Sequence, residues 1–282
     1  MPVDQRAAES FVWRAARLLD RHRYTLLFAN GPAEPVLEAL RGYRNADGGF
    51  GHALEPDLRC PGSQPAPTLH ALAVLNEAGA ADSKLARDAR AWIVSVAEAD
   101  GGIPFVLAGF EDYPHAPWWS PQPGSFLTFD LAAVLHAGGI TDDEWLDRAT
   151  NWCWHSIETT EQPSGYWLKN ACRFLDAVPD EQRARAAIAS LATRVDPSAL
   201  AGDGEDGEGL RALDLSPRPG SRSRALVSEA LIEAHLDAVE SGQQEDGGWV
   251  FDFLAWSPAQ TTDWRGVVTI DALTSLRDHG RL

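Results

Sequence analysis

One short string recurs three times in this chain, and it limits what the chain can fold into. Asp47-Gly48-Gly49-Phe50, Asp100-Gly101-Gly102-Ile103 and Asp246-Gly247-Gly248-Trp249 each join an Asp and two glycines to a large apolar residue. Adjacent glycines permit a positive φ and a tight reversal. The Asp can accept backbone N–H groups of the turn, and the apolar residue is driven back into a packed seam. About twenty to thirty residues after each string comes a Thr at the head of an apolar run: Thr68-Leu69-His70-Ala71-Leu72, Thr128-Phe129-Asp130-Leu131 and Thr269-Ile270-Asp271-Ala272-Leu273. A turn device followed by a matching helix predicts a helical-hairpin repeat of about fifty to sixty residues. Asp203-Gly204-Glu205-Asp206-Gly207-Glu208-Gly209 reads as a degenerate copy of the same string.

Periodicity between these strings is helical and nowhere alternates as a strand would. Residues 5–29 are expected as one long helix with Phe11, Val12, Ala15, Leu18, Leu19 and Leu26 on one face, stopped by Asn30-Gly31-Pro32. Further helices are expected from Val36, Thr68, Lys84, Thr128, Gly165, Pro179, Ser223 and Val268. Asp82 is the expected N-cap before Lys84, and Thr141 with Glu144 reads as a capping box. Connections of one phase are long and those of the other short, so the long ones should gather at one end. A closed ring of hairpins satisfies this without exposed solenoid ends. The expected architecture is therefore an all-α, single-domain (α/α) toroid over residues 1–282, with a cavity mouth built from loops 47–67, 100–126 and 246–266.

Composition narrows the partners. With 24 Lys and Arg against 41 Asp and Glu, the net charge is -17. Nucleic acid and anionic membrane surfaces are disfavoured over most of such a surface. The basic group Arg14, Arg17, Arg21, His22 and Arg23 reads as a solvated helix face. Three cysteines, Cys60, Cys153 and Cys172, are too few for a disulfide framework and fit a reducing compartment. No signal pattern and no apolar run of membrane-spanning length is present, so the expected location is cytoplasmic. Eleven tryptophans are less ordinary. Trp118, Trp119, Trp249, Trp256 and Trp264 fall in or beside the long irregular stretches, which suggests a lined cavity rather than core alone.

The last copy, Gln243-x-x-Asp246-Gly247-Gly248-Trp249, resembles the QW repeat of the squalene–hopene cyclase, terpenoid cyclase and protein prenyltransferase superfamily. The resemblance extends over most of the chain as repeats, but it is close only here. The first copy has Arg44 and Phe50, and the second Ala97 and Ile103, where Gln and Trp would stand. It implies an (α/α) toroid in which Gln and Trp tie an outer helix to its neighbour. It implies a small apolar partner, an isoprenoid, and acid-initiated cyclisation. The superfamily's catalytic motifs are not matched: there is no DxDD, and Asp142-Asp143-Glu144-Trp145-Leu146-Asp147 misses the DDxxD spacing of magnesium diphosphate sites.

An acid for such chemistry must be a carboxyl held neutral above an apolar, aromatic-walled space. Asp252 between Phe251 and Phe253 has the most apolar surroundings and is the first expectation; Asp263 beside Trp264, Asp112 beside Tyr113, and Asp57 in the first loop meet part of that description. Trp118, Trp119, Tyr113, Trp249, Phe251, Trp256, Trp264, His52, His115 and Glu55 are the expected substrate-contacting residues. No cofactor is expected. Zinc prenyl transfer would draw on Asp57, Cys60 and the histidines His52, His70 and His115, but the open spacing is a poor metal signature. A carbohydrate-active toroid with tryptophans stacking on sugars and paired carboxylates is an alternative, as is a ligand-binding or scaffold ring without catalysis.

Overall fold

The computed structural model describes residues 3–141, 143–195 and 210–282. Every regular element among them is helical, and the extended pairings are two isolated bridges, Arg44 with Phe50 and Leu58 with His115. The protein is all-α. The degenerate string at 203–209 lies outside the described residues.

The chain forms two compact units, Met1–Ala39 with Val195–Leu282, and Leu40–Arg194. The first holds α1 (Gln5–Ala15), α2 (Leu18–Phe28), α10 (Ala212–Leu215), a 3-10 turn (Arg222–Leu226), α11 (Glu229–Ser241) and α12 (Pro258–Asp278). A helix α3 (Glu34–Arg41) runs across the boundary. The second unit holds α4 (Pro65–Glu77), α5 (Lys84–Val96), α6 (Leu127–Ala137), α7 (Glu144–Thr159), α8 (Gly165–Ala177) and α9 (Glu181–Ala192). In it α6 packs on α4 and α8, while α5, α7 and α9 pair with α4, α6 and α8 respectively. Position in this stack explains composition. In α6 every residue from Leu127 to Ala133 is buried, while α5 and α7 are amphipathic with one buried face.

Each Asp-Gly-Gly string folds the same way. The first glycine has φ of 97° at Gly48, 97° at Gly101 and 95° at Gly247, the left-handed region that glycine enters without a Cβ clash. The Asp side chain accepts the second glycine's N–H, at 3.0 Å in Asp47, 2.9 Å in Asp100 and 3.2 Å in Asp246. The following N–H then donates to the hydroxyl of the Thr in the matching helix. These bonds are Phe50 to Thr68 at 3.0 Å, Ile103 to Thr128 at 2.9 Å and Trp249 to Thr269 at 3.0 Å. All three threonines are fully buried. The Thr that follows each string is thus its hydrogen-bond acceptor.

Each string also docks on a helix backbone. A Cβ at Gly48 would lie 2.8 Å from the Asp88 carbonyl oxygen of α5, and one at Gly247 2.1 Å from that of Ala7 in α1. A Cβ at Gly101 would lie 2.6 Å from the Arg148 carbonyl carbon of α7. Trp92 Nε1 donates to Asp47 at 3.1 Å, and Trp145 Nε1 to the Gly101 carbonyl at 3.1 Å. In the last copy the Gln243 amide accepts the Asp4 N–H at 2.8 Å and donates to the Asp4 and Gly247 carbonyls, both at 2.9 Å. Trp249 Nε1 donates to the Val239 carbonyl of α11 at 2.7 Å. Gln243 and Trp249 therefore tie the end of α11 to the start of α1, joining the two ends of the chain within one unit.

Several expected boundaries shift. The first helix breaks at Ala16, whose ψ of 159° is extended, into α1 and α2. The capping residue before α5 is Ser83, not Asp82, and before α7 it is Asp143, whose carboxylate accepts two N–H groups, not Thr141. α11 starts after Ser228 rather than at Ser223. α12 begins ten residues before Val268, at Pro258, with Ser257 as its N-cap. Proline at the first helical position suits this start, and it turns 258–265 from loop into helix.

Candidate functional site

In the second unit the first two long loops fold against each other. The Asp57 carbonyl accepts the Ala116 N–H at 2.9 Å and the Trp119 indole N–H at 2.8 Å. The Arg59 N–H donates to the Pro114 carbonyl at 3.1 Å. Gln64 is buried and exchanges two bonds with Leu107, accepting its N–H at 2.7 Å and donating to its carbonyl at 3.0 Å. These bonds replace the ladder that an irregular segment lacks.

The turn into this region is strained. His52 and Ala53 are consecutive non-glycine residues with positive φ, 55° and 61°. Each such residue costs on the order of 1–3 kcal/mol and persists only where its surroundings over-determine it. Here His52 N–H donates to the Cys60 carbonyl at 3.0 Å, and its Nε2 lies 2.9 Å from Asn45 Oδ1. Asn45 in turn donates to the Pro61 carbonyl at 2.9 Å and to Ser63 Oγ at 3.0 Å.

Of the residues expected at a site, this unit contains His52, Glu55, Asp57, Asp112, Tyr113, His115, Trp118 and Trp119, of which Asp57 meets Glu55 and Trp119 and His115 meets Tyr113. Asp57 is buried, and its N–H lies 3.5 Å from the half-buried Glu55 carboxylate. Trp119 is buried and stacks on Phe105 with centroids 4.5 Å apart. His115 lies edge-on to Phe110 at 4.8 Å, with Nδ1 2.7 Å from the Tyr113 carbonyl. Trp118 is half-buried, and Asp112 and Tyr113 are exposed.

The other expected residues belong to the first unit. Phe251 stacks on Phe253 at 4.4 Å, and Phe253 meets Trp264 edge-on at 5.3 Å. Asp252 is exposed and ion-paired with Arg211. Trp256 is half-buried. Asp263 and Trp264, half-buried, stand in the first turns of α12 rather than in a loop. Trp249 is buried, with its indole N–H engaged by Val239.

Among the described residues no three His, Cys, Asp or Glu side chains converge in a way that could hold a metal ion. Burial pushes the Cys60 thiol up. Open surface hollows occur among the described residues. One, of about 410 Å³, is walled by Trp154, Glu158, Arg183 and Arg194, and one of about 280 Å³ by Phe11, Arg14, Asp246 and Arg265. Neither takes in an expected site residue.

One polar group was overlooked by sequence reasoning. Asp130, in the first turn of α6, is buried. Its Oδ2 accepts Arg173 of α8 at 2.8 Å, and its Oδ1 is buried with no hydrogen-bond partner among the described residues. The signal lay in the Thr-x-His/Asp pattern, since Thr128 anchors the helix start and fixes where Asp130 falls.

No protein-family model and no curated protein sequence matches the chain. Solved structures do match. Type II terpene cyclase MstE from Scytonema, in its apo form, aligns with 98% of this chain and 97% of its own at 17% identity and a TM-score of 0.55. This protein has a terpene cyclase-like fold. A variant of MstE in complex with the substrate geranylgeranyl dihydroxybenzoate aligns with 98% of this chain and 87% of its own, at 17% identity and a TM-score of 0.50. A protein from Actinoplanes aligns with 97% and 89%, at 17% identity and a TM-score of 0.52. Identity this low carries the fold alone. No helix among the described residues is long and apolar enough to cross a membrane.

Proposed function

We propose that this chain is a terpenoid cyclase-like enzyme, a single (α/α) toroid domain in the cytoplasm that cyclises an isoprenoid by protonating it. The observation that carries the reading is the fold shared over 98% of the chain with a type II terpene cyclase. The loops where aromatic side chains gather give it chemical content. Alkene protonation needs a carboxyl kept from water, with aromatic faces near the cation that forms.

Of the four carboxylates considered, Asp57 suits that need best. It is buried in a loop held by Trp119, whereas Asp252 is exposed and paired with an arginine and Asp112 is exposed. Asp57 is accordingly assigned as the acid. Trp118, Trp119, Tyr113, His115, His52 and Glu55 are assigned as its surroundings in the unit Leu40–Arg194, and Phe251, Trp256 and Trp264 as the contacts of the alternative acid in the other unit, Asp263. Asp263 is the second choice of acid, because it is half-buried beside Trp264.

Incubation of the purified protein with geranylgeranyl-bearing substrates, analysed by mass spectrometry and NMR, should yield a cyclised isomer. Asp57→Asn should lower turnover by roughly 10²–10⁴-fold, the usual worth of a general acid. Wild-type turnover in that variant would remove Asp57 from the role, and absence of any cyclised product from the unaltered protein would overturn the cyclase reading.

A further inference from the structure

The turn that ends α2 holds the one Asn-Gly pair in the chain, Asn30-Gly31. Asn30 is exposed and has φ of 52°, the left-handed conformation that asparagine, after glycine, enters most readily at a helix end. Such a pair can modify itself. The Gly amide nitrogen, once it gives up its proton to base, attacks the Asn side-chain carbonyl carbon. The bond from that carbon to Nδ2 breaks and ammonia leaves. Water then opens the cyclic imide at either carbonyl, leaving aspartate or isoaspartate, and nothing is oxidised or reduced. Glycine favours the step because it has no Cβ to hinder the close approach.

Here the folded chain withholds the nucleophile. The Gly31 N–H donates to the Thr25 carbonyl at 2.9 Å, and the same oxygen accepts the Ala29 N–H at 3.1 Å. The fit is close, since a Cβ at Gly31 would lie 2.5 Å from Thr25 Cγ2. The last turn of α2 is in turn clamped from α12, within the same unit. Arg277 donates to the Leu27 carbonyl at 3.1 Å, and its guanidinium lies over the Phe28 ring at 5.1 Å. A cation at a helix C-terminus answers both the unmet carbonyls and the dipole.

We infer that Asn30 is a deamidation site gated by the contact between α2 and α12. It converts when the Gly31 N–H leaves Thr25, and Arg277 is the positioning residue that sets how often this happens. The change reinforces itself. Isoaspartate puts an extra carbon into the backbone, and either product adds a negative charge at the negative end of α2, so a converted chain closes the turn less firmly.

The test follows Asn30 by peptide mapping and mass spectrometry, in the full-length protein kept in mildly alkaline buffer with and without denaturant. Asn30 should convert in the unfolded chain, and roughly tenfold or more slowly in the native one, the ratio set by how seldom the turn opens. Arg277→Ala should raise the native rate roughly two- to fivefold, the worth of a cation at a helix C-terminus, and leave the unfolded rate unchanged. No conversion in the unfolded chain, equal rates with and without denaturant, or a native rate that Arg277→Ala leaves unchanged would overturn the inference. The denaturant comparison requires no variant, so poor folding of Arg277→Ala leaves it decisive. None of these outcomes bears on the cyclase reading.

Discussion

At the residue scale the threonines do structural work that their position in an apolar run hides. Thr128 receives the Ile103 N–H at 2.9 Å in a site where both partners are fully buried. Thr128→Val keeps the shape and removes the acceptor, leaving a buried N–H unsatisfied. The expected cost is about 1–3 kcal/mol, read as a lower denaturant midpoint, and Thr128→Ser should recover most of it. If valine and serine behaved alike, the hydroxyl would not be the anchor. The same test applies at Thr68 and Thr269, whose hydroxyls also donate back to their own helices, to the Gln64 carbonyl at 2.8 Å and the Arg265 carbonyl at 2.7 Å.

At the element scale the contact between α1, α12 and the last Asp-Gly-Gly string is electrostatic as well as packed. Arg265 of α12 forms a two-point pair with Asp246 at 2.7 and 2.8 Å, and Arg14 of α1 donates to the Asp246 carbonyl at 3.1 Å. The guanidinium of Arg265 also lies over the Phe11 ring at 4.6 Å. The Arg265 hydrogen bond, helped by the Gly248 N–H, holds the Asp246 carboxyl below its ordinary 3.8. The unfolded chain therefore binds this proton more readily than the folded one. The stabilisation is present above about pH 4 and is lost as pH falls through the depressed folded value. Denaturant titrations from about pH 3 to about pH 6 should show stability falling at the acid end. Arg265→Gln should flatten that fall, and an unchanged slope would show that Asp246 does not contribute to it. Because the Asp246 side chain is 44% exposed, solvent screens the pair and the effect is modest.

At the scale of the whole molecule the three cysteines are a built-in reporter. Cys60, Cys153 and Cys172 all lie in the unit Leu40–Arg194, all are free, and all are buried. Burial pushes each thiol up, and at Cys153 the neighbouring Asp130 charge adds to it. Thiolate is the reactive form, so an aromatic disulfide reagent should leave the native protein unlabelled and count three thiols once this unit opens. Tryptophan emission reports both units, since Trp249 and Trp264 lie in one and Trp92 and Trp145 in the other. For the single domain proposed, the two signals should change at one denaturant concentration. Thiol labelling that preceded the main emission change would mean that the units unfold separately.

The sequence by itself determined the helical class and its repeat. Glycine pairs demand a positive φ that a side chain would forbid, and an apolar residue after such a turn can only return to a core. These are local constraints, so Gly48, Gly101 and Gly247 announced themselves, as did the Gln243–Trp249 tie. Cap identity was less legible. Asp82 competed with Ser83, and Thr141 with Asp143, and whichever oxygen reached the free N–H groups was settled by neighbouring packing. The candidate site was legible only as composition. That the loops bearing Asp57 and Trp119 fold together, that Asp252 meets Arg211, and that Asp130 meets Arg173 through one oxygen all depend on residues 41 to 62 positions apart. Only tertiary structure decides such pairings, because the free energy that selects them comes from burial and hydrogen bonding between segments, and no single segment carries it.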